Sequence, residues 1–412
     1  MIDLAAIQAA RERIDRRVVR TPCVASDMLS ERIGCRLHFK LEGLQHTGSF
    51  KARGALNRIL QLSAEERKRG VLAFSAGNHA QGVAWAAREV GVNAKVVMPR
   101  PTPLVKVTRT KFLGAEVERY GETFAEAELR AREILAAEGF AFIHPFDDPE
   151  IVAGQGTAGL EILEQLPEVD VILCPIGGGG LISGVATAVK ALRPEVRIFG
   201  VQTETAPAMR DSLAAGRVVP HSTGPTLAEG IAVKTPSELT LGIVEKYVED
   251  VVLVSERDVE SAVFALLSDG RMQSEGAAAA TYAALMANRI PDVRAQRVAV
   301  VLSGANIDLN VLSRIIERAQ VHSGRLARLG ITVGDRPGAL AGILRVIGEA
   351  EANVVKVQHE RSFSRTDLWQ VEIELVIETR DREHLNEIVL ALARAGFESV
   401  EELSARSLPL QV

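Results

Sequence analysis

The stretch "VDVILCPIGGGGLISG", residues 169–184, passes from an apolar run through four consecutive glycines into small and aliphatic residues. An uninterrupted run such as VILC suits a parallel strand covered on both faces. Four glycines let the backbone approach a ligand with no Cβ in the way. Their N–H groups, together with the start of the following helix, make a cradle for phosphate. A tight strand-to-helix turn by itself needs fewer glycines. Two common nucleotide fingerprints do not fit. No G-x-x-x-x-G-K-[ST] occurs, and in G-x-G-x-x-G the last position holds Ile182 counted from Gly177, or Ser183 counted from Gly178.

The same strand-then-turn grammar recurs on both sides. "LHFKLE" (37–42), "VLAFSA" (71–76), "AKVVMP" (94–99), "AEVERY" (115–120) and "FAFIHP" (140–145) read as strands. "VRIFGVQ" (196–202), "VVLVS" (251–255) and "RVAVVLSG" (297–304) read likewise. Between them "HAQGVAWAAREVG" (79–91) and "TFAEAELRAREILAAEG" (123–139) have helical spacing. Strands alternating with helices give an α/β architecture. Near residue 320 the period changes. "RLGITVGD" (328–335), "PGALAGILRVIGEAE" (337–351), "NVVKVQHERS" (353–362), "DLWQVEIELVIE" (367–378), "DREHLNEIVLALARAG" (381–396) and "FESVEEL" (397–403) read as βαββαβ, a ferredoxin-like unit. We therefore expect a first domain over 1–320, with a smaller subdomain over about 50–150, a linker over 321–327 and a second domain over 328–412.

Composition narrows the function. The 412 residues are 47% hydrophobic and 25% charged, ordinary for a globular protein. A net charge of −5 implies no broad basic surface for nucleic acid. The opening "MIDLAAIQAARERIDRR" lacks the apolar core of a signal peptide, and no run is long and apolar enough to span a bilayer. Cys23, Cys35 and Cys174 have no metal-ligand spacing and read as free thiols of a reducing compartment. The expected location is the cytoplasm, with no membrane and no nucleic-acid partner.

In "HTGSFKARGA" (46–55), Lys51 opens a helix-like segment after a hydroxyl- and glycine-rich turn. A lysine beside a phosphate cradle is what a phosphorylated aldehyde cofactor needs, and pyridoxal 5'-phosphate is such a cofactor.

Four motifs now resemble one family. "SFKARGA" (49–55), "SAGNHAQG" (75–82), "GGGGL" (177–181) and "LSGAN" (302–306), in that order, are similar to the threonine and serine dehydratases. These are pyridoxal-phosphate enzymes of fold type II, the two-subdomain tryptophan-synthase β-like fold. "DRPGALAGIL" (335–344) and "EANVV" (351–355) resemble an ACT domain, a small amino-acid-binding regulatory module.

The resemblance implies roles for individual residues. Lys51 holds the cofactor aldehyde as an imine and then serves as the base at the substrate Cα. Phe50 lies against the cofactor. Asn78 hydrogen-bonds its 3′ oxygen. Gly177, Gly178, Gly179, Gly180 and Leu181 hold its phosphate, and Ser303 faces the pyridine nitrogen. Ser75, Ala76, Gly77 and His79 form the loop that takes the substrate carboxylate. Asn78 and Ser303 each sit beside glycine, so turn chemistry is their competing reading. A neutral Ser303 disfavours transamination and suits prompt β-elimination, with the cofactor phosphate as proton donor to the leaving hydroxyl. Racemases similar to this family carry a serine where this chain has Ala76, which cannot take a proton. Glu229 and Glu275 are secondary candidates. The position that is acidic in metal-binding relatives is Gln202, so no metal site is expected.

The activity implied is deamination of L-threonine, and more weakly L-serine, to 2-oxobutanoate or pyruvate and ammonia. A β-replacement synthase, a serine racemase and an amino-acid sensor are the alternatives. In the tail, Asp335, Gly338 and Asn353 are the effector-binding candidates, with isoleucine or valine as effector. A homo-tetramer or homo-dimer is expected.

Overall fold

The computed structural model describes residues 2–360, 367–397 and 399–403. It divides into two compact units, Met1–Ile307 and Asp308–Val412.

The first unit holds two open sheets. The larger has six strands in the order Cys23–Ala25, Arg36–Leu41, Arg297–Leu302, Val171–Pro175, Arg197–Thr203 and Asp250–Val254. Only the first pairing is antiparallel. Strand Val171–Pro175 is buried along its whole length, as a strand covered on both faces must be. The smaller sheet is fully parallel, in the order Glu116–Arg119, Ala94–Met98, Val71–Phe74 and Ala141–Phe142.

Register explains why distant motifs meet. Leu41 pairs with Leu302, and Val300 with Leu173, so three adjacent parallel strands end side by side. Their carboxyl ends lead into the turn before Lys51, into Ser303 and into the glycine loop. Ligands of open α/β sheets bind at that edge.

The Lys51–Leu60 helix is clamped by small residues. A Cβ on Gly82 would lie 3.1 Å from the carbonyl carbon, carbonyl oxygen and Cβ of Lys51, so helix Asn78–Val90 packs directly on the lysine's own backbone. On another side, a Cβ on Gly154 of helix Pro149–Gln165 would come within 2.7 Å of the Gly54 Cα.

The strand expected over 140–145 is only two residues long. After Phe142 the chain turns, because His144 Nδ1 accepts the backbone N–H groups of Phe146 and Asp147, at 3.3 and 2.7 Å, and Pro145 has no N–H to give a ladder.

The second unit begins with helix Leu309–His322. Its antiparallel sheet runs in the order Asn353–Glu360, Gln370–Glu378, Leu326–Gly334 and Ser399–Glu402, with helices Ala339–Glu349 and Arg382–Arg394 over one apolar core. Of the expected linker 321–327, residues 321–322 are helical and 326–327 are in a strand. Residues 361–362, read as the end of a strand, lie outside the described residues. Among the described residues no helix is long and apolar enough to cross a membrane.

Candidate active site

Lys51 stands at the first turn of its helix with its side chain turned into the unit's interior. Nζ donates to the Pro145 carbonyl at 2.8 Å and lies 5.0 Å from the centroid of the half-buried Phe50 ring. Burial pulls the amine down to about 8, against a smaller upward pull from the Glu275 carboxylate. A buried amine with a depressed pKa is a nucleophile and a base near neutral pH.

The glycine loop lies beside it. Gly179 has φ +92°, and helix Gly180–Leu192 starts immediately after it. Among the described residues, the backbone N–H groups from Gly177 to Leu181 have no hydrogen-bond partner, and the first helical bond runs from Ser183 N to the Gly179 carbonyl. The other side of the loop is packed. A Cβ on Gly178 would lie 2.2 Å from Phe146 Cδ1, and one on Gly180 3.0 Å from Phe146 Cβ. Unpartnered N–H groups at a helix start, backed by protein, fit a phosphate. With the Lys51 amine nearby, the residues present suit a phosphorylated aldehyde.

Asn78 opens helix Asn78–Val90, and its amide is held at both ends. Nδ2 donates to Glu275 Oε1 at 2.7 Å, and Oδ1 accepts from Asn306 Nδ2 at 2.8 Å. Burial pushes the Glu275 carboxyl up, and the bond from Asn78 is the largest opposing influence. Ser303 is buried at the end of its strand, and its carbonyl accepts the Phe50 N–H at 3.0 Å. Ser49 pairs with Gly304, and the Ser49 hydroxyl is buried with no hydrogen-bond partner.

Of the carboxylate loop, Ser75, Ala76 and Gly77 are half-buried, and Ser75 Oγ accepts the Gly77 N–H at 3.3 Å. His79 turns inward, with Nε2 2.7 Å from the Ile143 carbonyl. Burial first, then the Lys51 charge, drives it down to about 3, so it is neutral and its Nε2–H donates to that carbonyl. Any contribution of His79 to an anion is therefore through its backbone.

The secondary candidates separate. Glu275 is in the site, whereas Glu229 is exposed and paired with Lys106 at 2.5 Å. The Gln202 amide is engaged at both ends: Nε2 donates to the Ile176 carbonyl, and Oε1 accepts from the N–H groups of Met209 and Arg210. In the second unit, Gly338 has φ +90° and precedes helix Ala339–Glu349, while Asn353 Nδ2 donates to Glu378 Oε2 at 3.0 Å.

Sequence reasoning missed Pro145, Phe146 and Asn306. Pro145 ends a stretch that reads as a strand, and Phe146 follows it directly. Asn306 closes "LSGAN", and an asparagine ending a glycine turn is the available signal.

Residues 14–304 match the family described as pyridoxal-phosphate dependent enzyme, and residues 327–396 match the ACT domain. A protein of Thermotoga maritima named L-threonine ammonia-lyase is 48% identical over 97% of this chain and 99% of its own length. The processed form of threonine deaminase isoform 2 from Solanum lycopersicum superposes with a TM-score of 0.73 at 37% identity, covering 77% of this chain and 87% of that one. Maize serine racemase gives a TM-score of 0.73 at 34% identity, covering 78% of this chain and 98% of that one. With a lysine amine, a cradle of free N–H groups and a fixed asparagine at one sheet edge, and with this likeness across most of its length, the chain belongs to the pyridoxal-phosphate dependent enzymes and carries an ACT domain at its C-terminal end.

Proposed function

We propose that the chain deaminates L-threonine, and more weakly L-serine, by β-elimination of water, releasing 2-oxobutanoate or pyruvate and ammonia. The observation that carries this reading is the 48% identity, over nearly the full length of both chains, to a protein named L-threonine ammonia-lyase.

Pyridoxal phosphate supplies an electron-withdrawing aldehyde and ring that make a substrate Cα proton acidic. The residues proposed to hold it are Lys51 at the aldehyde, Phe50 against the ring, Asn78 at the ring oxygen, Gly177 to Leu181 at the phosphate and Ser303 at the ring nitrogen. Lys51 Nζ then takes the Cα proton. With an amine near 8, about a fifth is already neutral at pH 7.4, far more than for an ordinary lysine, and burial favours that form. The N–H groups at the start of helix Asn78–Val90, with Ser75, Ala76 and Gly77, orient the substrate carboxylate. Ser303 carries no charge to fix a proton on a ring nitrogen, which suits elimination over transamination.

The likeness to maize serine racemase favours a second reading, racemisation. Inverting Cα needs a base on the face opposite Lys51. Ala76 offers none, so elimination is the better-supported outcome.

The ACT domain supports an amino-acid effector, with Asp335, Gly338 and Asn353 around its site and isoleucine or valine as the amino acid. A homo-tetramer or homo-dimer completes this reading. The test is 2-oxobutanoate formation from L-threonine, with and without L-isoleucine. No product from threonine or serine sinks the proposal, and product indifferent to isoleucine removes isoleucine as the effector and leaves the enzyme reading intact.

A further inference from the structure

We propose that Asn306 is a positioning residue that fixes which way the Asn78 amide faces. The inference rests on the reading that Asn78 meets the cofactor's ring oxygen.

The argument is one of donors and acceptors. A guanidinium only donates and a carbonyl only accepts. Arg109 Nη1 donates to Asn306 Oδ1 at 3.2 Å, and Asn306 Nδ2 donates to the Thr47 carbonyl at 2.8 Å. Two partners with no choice of role thereby assign both ends of the Asn306 amide. Its second N–H points to Asn78 at 2.8 Å, so the atom it meets must be Oδ1. A turned-over Asn78 would set one NH2 against another. Asn78 Nδ2 therefore faces Glu275, whose Oε1 accepts at 2.7 Å. One hydrogen on Nδ2 remains. What Asn78 has left to present is a donor, the group that an anionic ring oxygen needs.

Asn306 also joins the parts that must act together. Thr47 belongs to the turn that leads into Lys51, and a Cβ on the next residue, Gly48, would lie 2.6 Å from Asn306 Oδ1. Arg109 comes from helix Leu104–Phe112, which follows a strand of the smaller sheet. One amide thus ties the lysine turn, the smaller sheet's layer and Asn78.

The experiment compares holoenzymes of wild type, Asn306→Ala and Asn306→Asp. It follows the visible cofactor absorbance against pH, the kinetics on L-threonine, and the melting temperature of each apoprotein. In both variants we expect the absorbance midpoint to move by at least half a pH unit. We also expect kcat to fall at least tenfold, KM to stay within threefold, and apoprotein melting to stay within a few degrees. A midpoint that moves only in Asn306→Asp reports the added charge and overturns the proposal, as does a midpoint unmoved in both. If the alanine protein does not fold, neutral Asn306→Ser decides in its place. A wild-type protein with no visible band that depends on Lys51 would overturn the cofactor reading of the site and this inference with it. An intact band with unshifted variants overturns this inference alone.

Discussion

Lys51 Nζ donates to the carbonyl oxygen of Pro145 at 2.8 Å, across 94 residues of sequence. That carbonyl is held in place by the next residues, whose N–H groups fold back onto His144 Nδ1. The amine is thus fixed by a carbonyl that offers no counter-charge, and burial dominates its titration. In the apoprotein, Lys51 should react with a small acylating reagent at a rate that rises about tenfold per pH unit and levels near pH 8, whereas ordinary lysines level near 10.4. The sign for stability follows. Between about 8 and the unfolded value of 10.5 the unfolded chain holds the proton and the folded one does not, so this group makes the apoprotein more stable as pH rises through that window. Peptide-resolved labelling checks the first claim, and chemical denaturation of wild type against Lys51→Met checks the second. A plateau for Lys51 above pH 10 would refute the burial account.

Lys51→Ala should abolish the lysine-dependent visible absorbance and lower turnover of L-threonine by about 10²–10⁴-fold, the range of a lost general base. An absorbance spectrum after dialysis, with a 2-oxobutanoate assay, decides it. Retained activity would move the base to another residue.

Gly178→Ala should act through Phe146. The added Cβ would lie 2.2 Å from the ring, so either the ring or the loop must shift. A shifted loop misaims its N–H groups. We expect cofactor affinity to fall about tenfold, about 1.4 kcal/mol, with partial recovery in the double variant that also carries Phe146→Leu. Fluorescence titration of the apoproteins with pyridoxal phosphate measures both. An unchanged affinity in the single variant would mean that the ring yields freely.

Much of this was legible in the sequence because buried parallel strands write themselves as apolar runs. VILC and VAVVL both lie in strands of the larger sheet, and the second unit's alternating "QVEIELVIE" forms one strand with every second residue buried. What escaped was non-local or brief. Strand Cys23–Ala25 is three residues long and exists through its pairing with Arg36–Leu41. "FAFIHP" has strand composition throughout, yet a histidine ring accepting two backbone N–H groups ends the strand after Phe142. Lys51, Asn78 and the glycine loop were readable because each sits in a strand-to-helix turn. The Arg109–Asn306–Asn78–Glu275 chain was not, since its members lie up to 228 residues apart. Likewise nothing in "SFKARGA" sets Arg53 apart, and arginine is mostly an exposed residue type, yet here it is fully buried.

Ala76→Ser tests the face-selectivity argument. A hydroxyl there supplies the second base that Ala76 lacks. We expect D-serine to form from L-serine in the variant and to stay near background in wild type, with chiral chromatography as the readout. Equal D-serine in both would show that another group already serves that face.

Arg53 is the last test, and it concerns what holds the lysine helix in place. Two residues beyond Lys51, its guanidinium binds both oxygens of Glu42, each at 2.8 Å, and both oxygens of Glu161, at 2.6 and 2.8 Å. Lys40 Nζ adds a 2.5 Å bond to Glu161, and the Thr21 hydroxyl donates to Glu42. The two cations and two carboxylates balance. Burial is the largest single influence on Glu42 and pushes its carboxyl up, but Arg53, Lys40 and the Thr21 hydroxyl together hold it below the usual carboxylate range. Arg53→Met leaves two buried carboxylates against one ammonium, which costs about 3–5 kcal/mol when one partner of a buried pair is removed. Replacing Arg53 and Glu42 together by Met and Gln restores the balance of one cation with one anion, so it should recover part of that loss. Urea unfolding of the three apoproteins measures it. If the double variant were no more stable than the single, shape rather than charge would be what Arg53 contributes, and the helix that carries Lys51 would owe its placement to the Gly54–Gly154 contact instead.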